Sequence, residues 1–395
     1  MPLIALLQAV GARLAVFLIA FLAVLGVGSV TDSPAPALHE QKSPPTKSAV
    51  EEIVPAEAPT EEEAVPESTP GTQENESPEQ EPAKDAPAVT PSAPALQPPK
   101  PEPEVQTEQK PAKSLNEINT DVSPTVVNIL CSSANDSLNS ISGSGVFIDS
   151  RGVILTNAHI AQYLLLKDYP TKDSIECVAR TGSPAKPSYT LTLLYISPNW
   201  IAEHAHDITV ETPTGTGEHD YALLIVTGRT DPSALLPASF PALKMAIDDS
   251  AIETGNEVLI RAYPAGFLGG ISIQKELYAV ATIASIRKLY TFNDGLLDLL
   301  SLGGSIAAQG GSSGGAVINT DGSLIGIVVT ASREATTDER DLRAVTLSHI
   351  NRDHIATEGI SLSSYLSGPL LQRRAVFELT KAPTLSALLI QALEQ

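Results

Sequence analysis

The sequence has little positive charge, almost no cysteine and few stretches with a helical period, and each shortage narrows what the protein can be. It carries 25 lysines and arginines against 46 aspartates and glutamates, a net charge of −21, with no basic cluster. Such a surface repels phosphates, so we exclude nucleic acid as a partner and expect protein or peptide partners.

Cysteine occurs only at Cys131 and Cys177. A disulfide between them is the one intramolecular pairing possible, and closing this 46-residue separation would stabilise the fold by about 4 kcal/mol. Alternatively, the two thiols are buried and pack as small apolar side chains. The residues alone leave both alternatives open.

The first 30 residues predict a membrane anchor or a signal segment. An apolar run from Leu14 to Val30 follows a single charge, Arg13, and would extend about 25 Å as a helix, against a hydrocarbon core of about 30 Å. Because Arg13 precedes the run, the rest of the chain is expected outside the cytoplasm. We favour an uncleaved single-pass anchor, with a cleaved signal peptide as the alternative.

Residues 31–113 predict a disordered tether. They hold 18 of the chain's 31 prolines, with 17 acidic and 6 basic side chains. A segment of this composition buries too little apolar surface to offset its chain entropy. It would hold the remainder of the chain away from the membrane.

From Val122 onward the sequence predicts strands. Short runs rich in Val, Ile, Leu and Tyr, such as "GSGVFIDS", "GVILTNAH" and "YALLIV", alternate with turn residues. The shortage of long helical periods argues against β-α-β units and favours antiparallel barrels or a sandwich. A docking helix is predicted at the carboxyl end, where a proline precedes leucines at helical spacing: Leu385, Leu388, Leu389 and Leu393.

Three segments carry side chains suited to nucleophilic catalysis: "TNAHI" with His159, "HDYALLIV" with Asp220, and "GGSSGGAV" with Ser313. A serine hydroxyl becomes a nucleophile when an imidazole takes its proton, and a buried carboxylate orients that imidazole. Glycines around the serine let backbone N–H groups turn toward one oxyanion. The predicted oxyanion hole is therefore Gly311, Ser312 and Ser313.

Residues 120–352 resemble the trypsin-like serine peptidases of the chymotrypsin fold, and among them the exported bacterial branch related to HtrA/Deg proteases. The resemblance rests on "GSGVFIDSRGVILTNAH", "DYALL", "GSSGG" and "GNEVLIRAYPAG". In these motifs His159, Asp220 and Ser313 match the catalytic positions, in the order His, Asp, Ser. No PDZ-like module is expected after about residue 356.

This resemblance implies an all-β fold of two six-stranded antiparallel barrels, with the catalytic residues in the cleft between them and short helices at the carboxyl end. The peptidase domain would span residues 114–356. Its first barrel is expected at about 120–235 and its second at about 250–352, followed by a helical tail at 357–395.

The resemblance also implies roles for residues outside the triad. Cys131 and Cys177 would fall on neighbouring strands of the first barrel, which favours the disulfide. Trypsins carry an Asp six residues before the nucleophile, where this chain has Ala307, so the implied pocket is apolar and suits small aliphatic side chains before the scissile bond. A strand beside the pocket would pair with substrate backbone. The predicted pocket residues are Ala307, Ile327, Val328, Val329 and Thr330.

The segment "NWIAEHAHDITVETPTGTGE" departs from the family pattern as an insertion before Asp220. It contains a rival acid, Asp207, but Asp220 is preferred because Ala222 and an apolar strand follow it. His204, His206 and Asp207 form a possible metal cluster. Flexible surface histidines are the favoured interpretation, and neither a metal nor a cofactor is predicted.

Together these features predict a membrane-anchored serine endopeptidase on the periplasmic or cell-surface side. It would cleave unfolded or exposed protein segments, with Ser313 as nucleophile, His159 as general base and then acid, and Asp220 orienting His159. The main alternative is a non-catalytic peptide-binding protein on the same fold. A less favoured one is a metal-dependent hydrolase that uses His204 and His206.

Overall fold

The computed structural model describes residues 113–134, 138–210, 215–266, 268–292, 295–332, 334 and 336–395. The predicted membrane segment and almost all of the predicted tether lie outside these ranges, and both stay predictions. Within the described ranges, no helix combines the length and the apolar content that crossing a membrane requires.

Six antiparallel strands close into a barrel, as predicted for the first half of the peptidase region. They are β1 (Val126–Ser133), β2 (Ile141–Asp149), β3 (Val153–Thr156), β4 (Ile175–Thr181), β5 (Lys186–Ile196) and β6 (Ala222–Arg229), paired in the order β1-β2-β3-β6-β5-β4. Their apolar side chains fill the interior, where Ile129, Leu155 and Leu224 are fully buried. Each such side chain stabilises the fold by roughly 1.5–3 kcal/mol.

A disulfide joins Cys131 on β1 to Cys177 on β4. The two residues lie directly opposite each other in the antiparallel pairing of these strands, with Cα atoms 4.0 Å apart. Pairing of β1 with β4 is also the contact that closes the barrel. The crosslink therefore holds the barrel at its closing pair of strands.

The second half is a seven-stranded sheet that curves into a half-barrel, so the predicted second closed barrel of six strands is wrong. Its strands are β7 (Glu257–Ala262), β8 (Val280–Ser285), β9 (Lys288–Tyr290), β10 (Leu299–Gly303), β11 (Ala316–Ile318), β12 (Leu324–Ala331) and β13 (Leu342–Thr346), in the order β8-β7-β11-β12-β13-β10-β9. A bend between β8 and β9 explains the difference. The N–H of Ile286 donates to Asn256 O, whereas that of Arg287 donates to Ser301 O, so the chain changes its pairing partner there.

Short helices surround the two sheets. They are α1 (Leu115–Val122), α2 (Ala158–Ala161), α3 (Pro198–His204), α4 (Gly270–Lys275), α5 (Leu347–Glu358), α6 (Leu362–Ser367), α7 (Leu370–Thr380) and α8 (Ala382–Leu393). The second sheet thus ends at Thr346 and not near residue 352. The reason is a helix cap, because the Thr346 side chain accepts a hydrogen bond from the N–H of His349 at 3.1 Å and starts α5.

The predicted docking helix at the carboxyl end is confirmed as α8. Pro383 lies in its first turn, and Leu385 and Leu389 are buried. α8 packs against α3 and against the 3₁₀ turn at Ala205–Thr209. The last helix of the described chain therefore supports the segment that precedes Asp220.

Candidate active site

His159 and Asp220 are brought together by the pairing of β3 with β6. Thr156 at the end of β3 lies opposite Ala222 at the start of β6, so the residues just beyond each strand are neighbours. Nδ1 of His159 lies 2.8 Å from Oδ2 of Asp220, and the His159 backbone N–H donates to Oδ1 at 3.0 Å. Asp220 is buried. The carboxylate therefore orients the imidazole through Nδ1 and leaves the other ring nitrogen, Nε2, available to take or give a proton.

Ser313 lies on the loop that enters β11. Its carbonyl accepts from the N–H of Ser144 at 2.7 Å, and the N–H of the next residue, Gly314, donates to Val328 O at 2.8 Å. Ser313 lines the same cavity of about 670 Å³ as His159 and Asp220. The structure thus places all three predicted triad residues at one cleft.

Ser144 holds the loop that carries Ser313, a role that was not predicted from the sequence. This residue of β2 is fully buried. Its Oγ donates to Gly311 O at 2.8 Å and accepts from the N–H of Tyr263 at 2.9 Å, so it joins the first barrel to two segments of the second half. The "GSG" of β2 is the indication of close packing that the sequence offers at Ser144. A Cβ on the neighbouring Gly145 would lie 2.6 Å from the Ile154 side chain. Only a glycine there allows such close packing.

The backbone around Ser313 has two N–H groups in the predicted position of the oxyanion hole. Within the described part of the chain, the N–H groups of Gly311 and Ser313 donate to no backbone carbonyl, whereas that of Ser312 donates to Gln309 O at 3.3 Å. The predicted contribution of Ser312 is therefore wrong, since its N–H is already used. Gly311 has φ +90° and a Cβ there would lie 2.7 Å from Tyr263 O, so this turn requires glycine.

Residues 143–327 match the family model of the trypsin-like peptidase domain. These residues form a trypsin-like peptidase domain. No curated protein matches the chain significantly.

Many solved structures are similar to the chain, and two of them are proteases described as follows. One is the HtrA-type protease AlgW with a tripeptide, at 21% identity and TM-score 0.40, covering 63% of this chain. The chain spans 65% of the length of that AlgW chain. The other is the Rv3671c protease from M. tuberculosis in its active form, at 21% identity and TM-score 0.38, covering 68% of this chain and 95% of that one.

Only some of the residues predicted to form the substrate pocket of this trypsin-like peptidase domain line the cavity. Val328 and Val329 line it. Ala307 and Ile327 are 1% and 0% exposed and pack in the hydrophobic core, and the side chain of Thr330 lies outside the described part of the structure. The prediction that Ala307 lines the pocket is therefore wrong, because this residue is buried in the core.

Residues other than Ala307 line the cavity that contains Ser313. The cavity is lined there by Ala308 and Leu342, which are apolar, and by Arg340. The Arg340 guanidinium donates to the carbonyls of Ala308 at 3.0 Å and Glu334 at 2.8 Å. Arg340 is thus a lining residue that the sequence does not predict, and its guanidinium supports the backbone at Ala308.

The insertion before Asp220 lines the other side of the cavity, through residues that include Trp200, His204 and Asp207. Oδ2 of Asp207 lies 2.8 Å from Nδ1 of His204, so the rival acid is engaged within the insertion and not with His159. His206 lies 3.1 Å from Asp207 and is 74% exposed in its side chain. In the described part of the chain, no three His, Cys, Asp or Glu side chains converge to hold a metal. The structure therefore gives the metal-hydrolase alternative no support.

Proposed function

We propose that the protein is a serine endopeptidase that uses Ser313, His159 and Asp220. The observation that carries the proposal is the contact of His159 with the buried Asp220 carboxylate in a cavity that Ser313 shares. The exposed ring nitrogen of His159 is the base that a serine hydroxyl needs.

In this mechanism Oγ of Ser313 attacks the peptide carbonyl while Nε2 of His159 takes the hydroxyl proton. Asp220 stabilises the resulting imidazolium, and the N–H groups of Gly311 and Ser313 hold the oxyanion. The carbon–nitrogen bond then breaks as His159 gives its proton to the leaving amine. Water attacks the acyl-enzyme in a second cycle of the same steps, which releases the acid product and restores the Ser313 hydroxyl.

An extended substrate segment fits beside β12. β11 pairs with β12 only as far as Ile327, so the backbone of residues 329–331 has no β11 partner on that side in the described structure. A peptide strand added at this edge would be held by main-chain hydrogen bonds, which read no sequence. This geometry supports action on unfolded or exposed protein segments.

The pocket beside Ser313 supports a preference for small aliphatic residues before the scissile bond. Ala308, Val328 and Leu342 offer apolar surface that suits such side chains.

We further propose that the domain belongs to the exported HtrA/Deg-related branch and acts outside the cytoplasm from a membrane anchor. The apolar segment at residues 14–30, the tether composition and the disulfide between Cys131 and Cys177 support this location, because disulfides persist in oxidising compartments.

The test uses a fluorophosphonate probe, which labels only an activated serine, together with cleavage of unfolded casein. The chain should be labelled and should cleave casein, and Ser313→Ala should do neither. Undiminished casein cleavage by Ser313→Ala would reject the assignment. A chain that binds casein without labelling or cleavage would instead be the peptide-binding alternative.

A further inference from the structure

The residue before the proposed catalytic aspartate is held in an unusual conformation by a distant helix. His219 has φ +60°, a region that side chains other than glycine seldom adopt. Its Nδ1 lies 2.7 Å from Oδ1 of Asp353, which lies on α5. Asp353 is buried, with 5% of its side chain exposed. A turn that costs backbone energy is thus tied to a buried carboxylate from the carboxyl-terminal helices.

Contacts on the opposite side hold the same backbone. Nδ2 of Asn157 donates to Asp220 O at 2.8 Å, next to the end of β3. The N–H of Tyr221 donates to His219 O at 2.8 Å, and the buried Tyr221 ring packs on Tyr195 with centroids 5.8 Å apart. Asp220 is therefore fixed from the barrel by Asn157 and from α5 by His219.

The charges around His219 favour its protonated form. Contact with Asp353 raises the pKa of His219 above its ordinary value and outweighs the opposing effect of burial. Glu218, whose Oε1 lies 3.9 Å from Nε2 of His219, and Glu203 on α3 act in the same direction. Burial alone would raise the pKa of Asp353, but contacts from His219 and Tyr221 outweigh it and leave that pKa below its ordinary value.

We propose that His219 and Asp353 are a positioning ion pair that fastens the Asp220 segment to α5, and that protonation of His219 maintains the contact between Asp220 and His159. The inference rests on the proposed function, because it assigns a role in aligning the proposed triad. Neither residue touches the substrate in this scheme. Both act through the Asp220 backbone.

The ion pair between His219 and Asp353 stabilises the fold only within a limited range of pH. A His with a raised pKa stabilises its folded contact below its unfolded pKa of about 6.5 and loses that contribution as pH rises through the folded value. An Asp with a lowered pKa contributes above about 3.9 and loses its contribution as pH falls through the folded value. Activity should therefore decline at alkaline pH as His219 loses its charge and the ion pair with Asp353 is lost.

Two variants of the full chain test the pair, and a third is the matched control. His219→Asn removes the cation but keeps a residue that tolerates positive φ, and Asp353→Asn removes the anion at constant shape. His349→Asn is the control, because His349 is a buried histidine of the same helix whose Nδ1 lies 2.8 Å from Asp298. It breaks a similar pair that does not adjoin Asp220.

We expect kcat for a peptide substrate to fall about tenfold in His219→Asn and in Asp353→Asn at neutral pH, with KM changed less than twofold. Both variants should lack the alkaline decline, and the double variant should lose no more than either single one. His349→Asn should keep the alkaline decline and kcat of the unmodified chain. An unchanged kcat and pH profile in His219→Asn, or an equal effect in His349→Asn, would overturn the inference.

A proton NMR measurement separates this inference from the proposed function. The hydrogen-bonded proton between His159 and Asp220 should give a low-field resonance in Ser313→Ala protein, which needs no turnover. The resonance should weaken as pH rises through the His219 pKa and should be weak throughout in His219→Asn. If it is unaffected by pH and by both pair variants, the positioning role is refuted. If it behaves as expected in a chain that cleaves no peptide, only the proposed function fails.

Discussion

The contacts of Ser144 allow one prediction to be worked through from the structure. Ser144→Ala removes a single buried hydroxyl, which bridges Gly311 O and the N–H of Tyr263. Both backbone groups then lie in the interior without their partner. The Ser144 N–H still donates to Ser313 O at 2.7 Å, so the nucleophile keeps one of its supports.

The expected magnitude has two parts. Each of the two orphaned backbone groups costs about 1–3 kcal/mol, so the free energy of unfolding should fall by about 2–6 kcal/mol. Without the contact at Gly311 O, the loop no longer fixes the position of the Gly311 N–H group, which is proposed to bind the oxyanion. Removal of one oxyanion donor lowers kcat by about 100-fold to 1,000-fold, and since Ser313 remains anchored we expect about 100-fold here.

The assay compares kcat and KM on a peptide substrate with the denaturant midpoint of the same protein. Ser348→Ala is the control, because that hydroxyl is also buried and bonded, to Asp249 and Thr346, but lies on α5 and not on the cavity. The control should lose stability while kcat stays within twofold. If Ser144→Ala also keeps kcat within twofold, the hydroxyl does not position the nucleophile loop and the reasoning is refuted.

A further prediction follows from the disulfide. Replacing Cys131 and Cys177 by serine opens a 46-residue loop, so denaturant unfolding should show a loss of about 4 kcal/mol, and an unchanged midpoint would contradict the role of the closing crosslink.

Much of the first barrel could be predicted from local pattern. The runs around Val146, Leu155 and Leu223 alternate with turn residues, and each became a strand in the predicted order along the chain. α8 could be predicted for the same reason, because its leucines repeat at a helical spacing. The three strands are buried on both faces, which their continuous apolar runs indicate, whereas α8 buries the side that carries Leu385 and Leu389.

The remaining features depend on packing between distant residues. The residues of Ser285–Lys288 carry no local pattern that indicates a change of strand-pairing partner. The sequence therefore predicts a closed barrel where the structure has a half-barrel. Ser144 and Gly311 are 167 residues apart, and a lone serine between glycines carries no sign of its partner. Asp353 on α5 and His219 are likewise far apart in the sequence, and only the folded chain brings them into contact. Motif spacing located the three chemical groups but could not show the contacts that align them.

Because α8 packs on α3, residues near the carboxyl end influence the shape of the cleft. α3 contributes Trp200 and His204 to the lining of the cavity, and α8, on which Leu385 and Leu389 are buried, packs against α3. Residues more than 160 positions after the insertion thus determine where those side chains stand. An engineer who wishes to widen or narrow that subsite can resize the inner face of α8 and leave every cleft residue untouched.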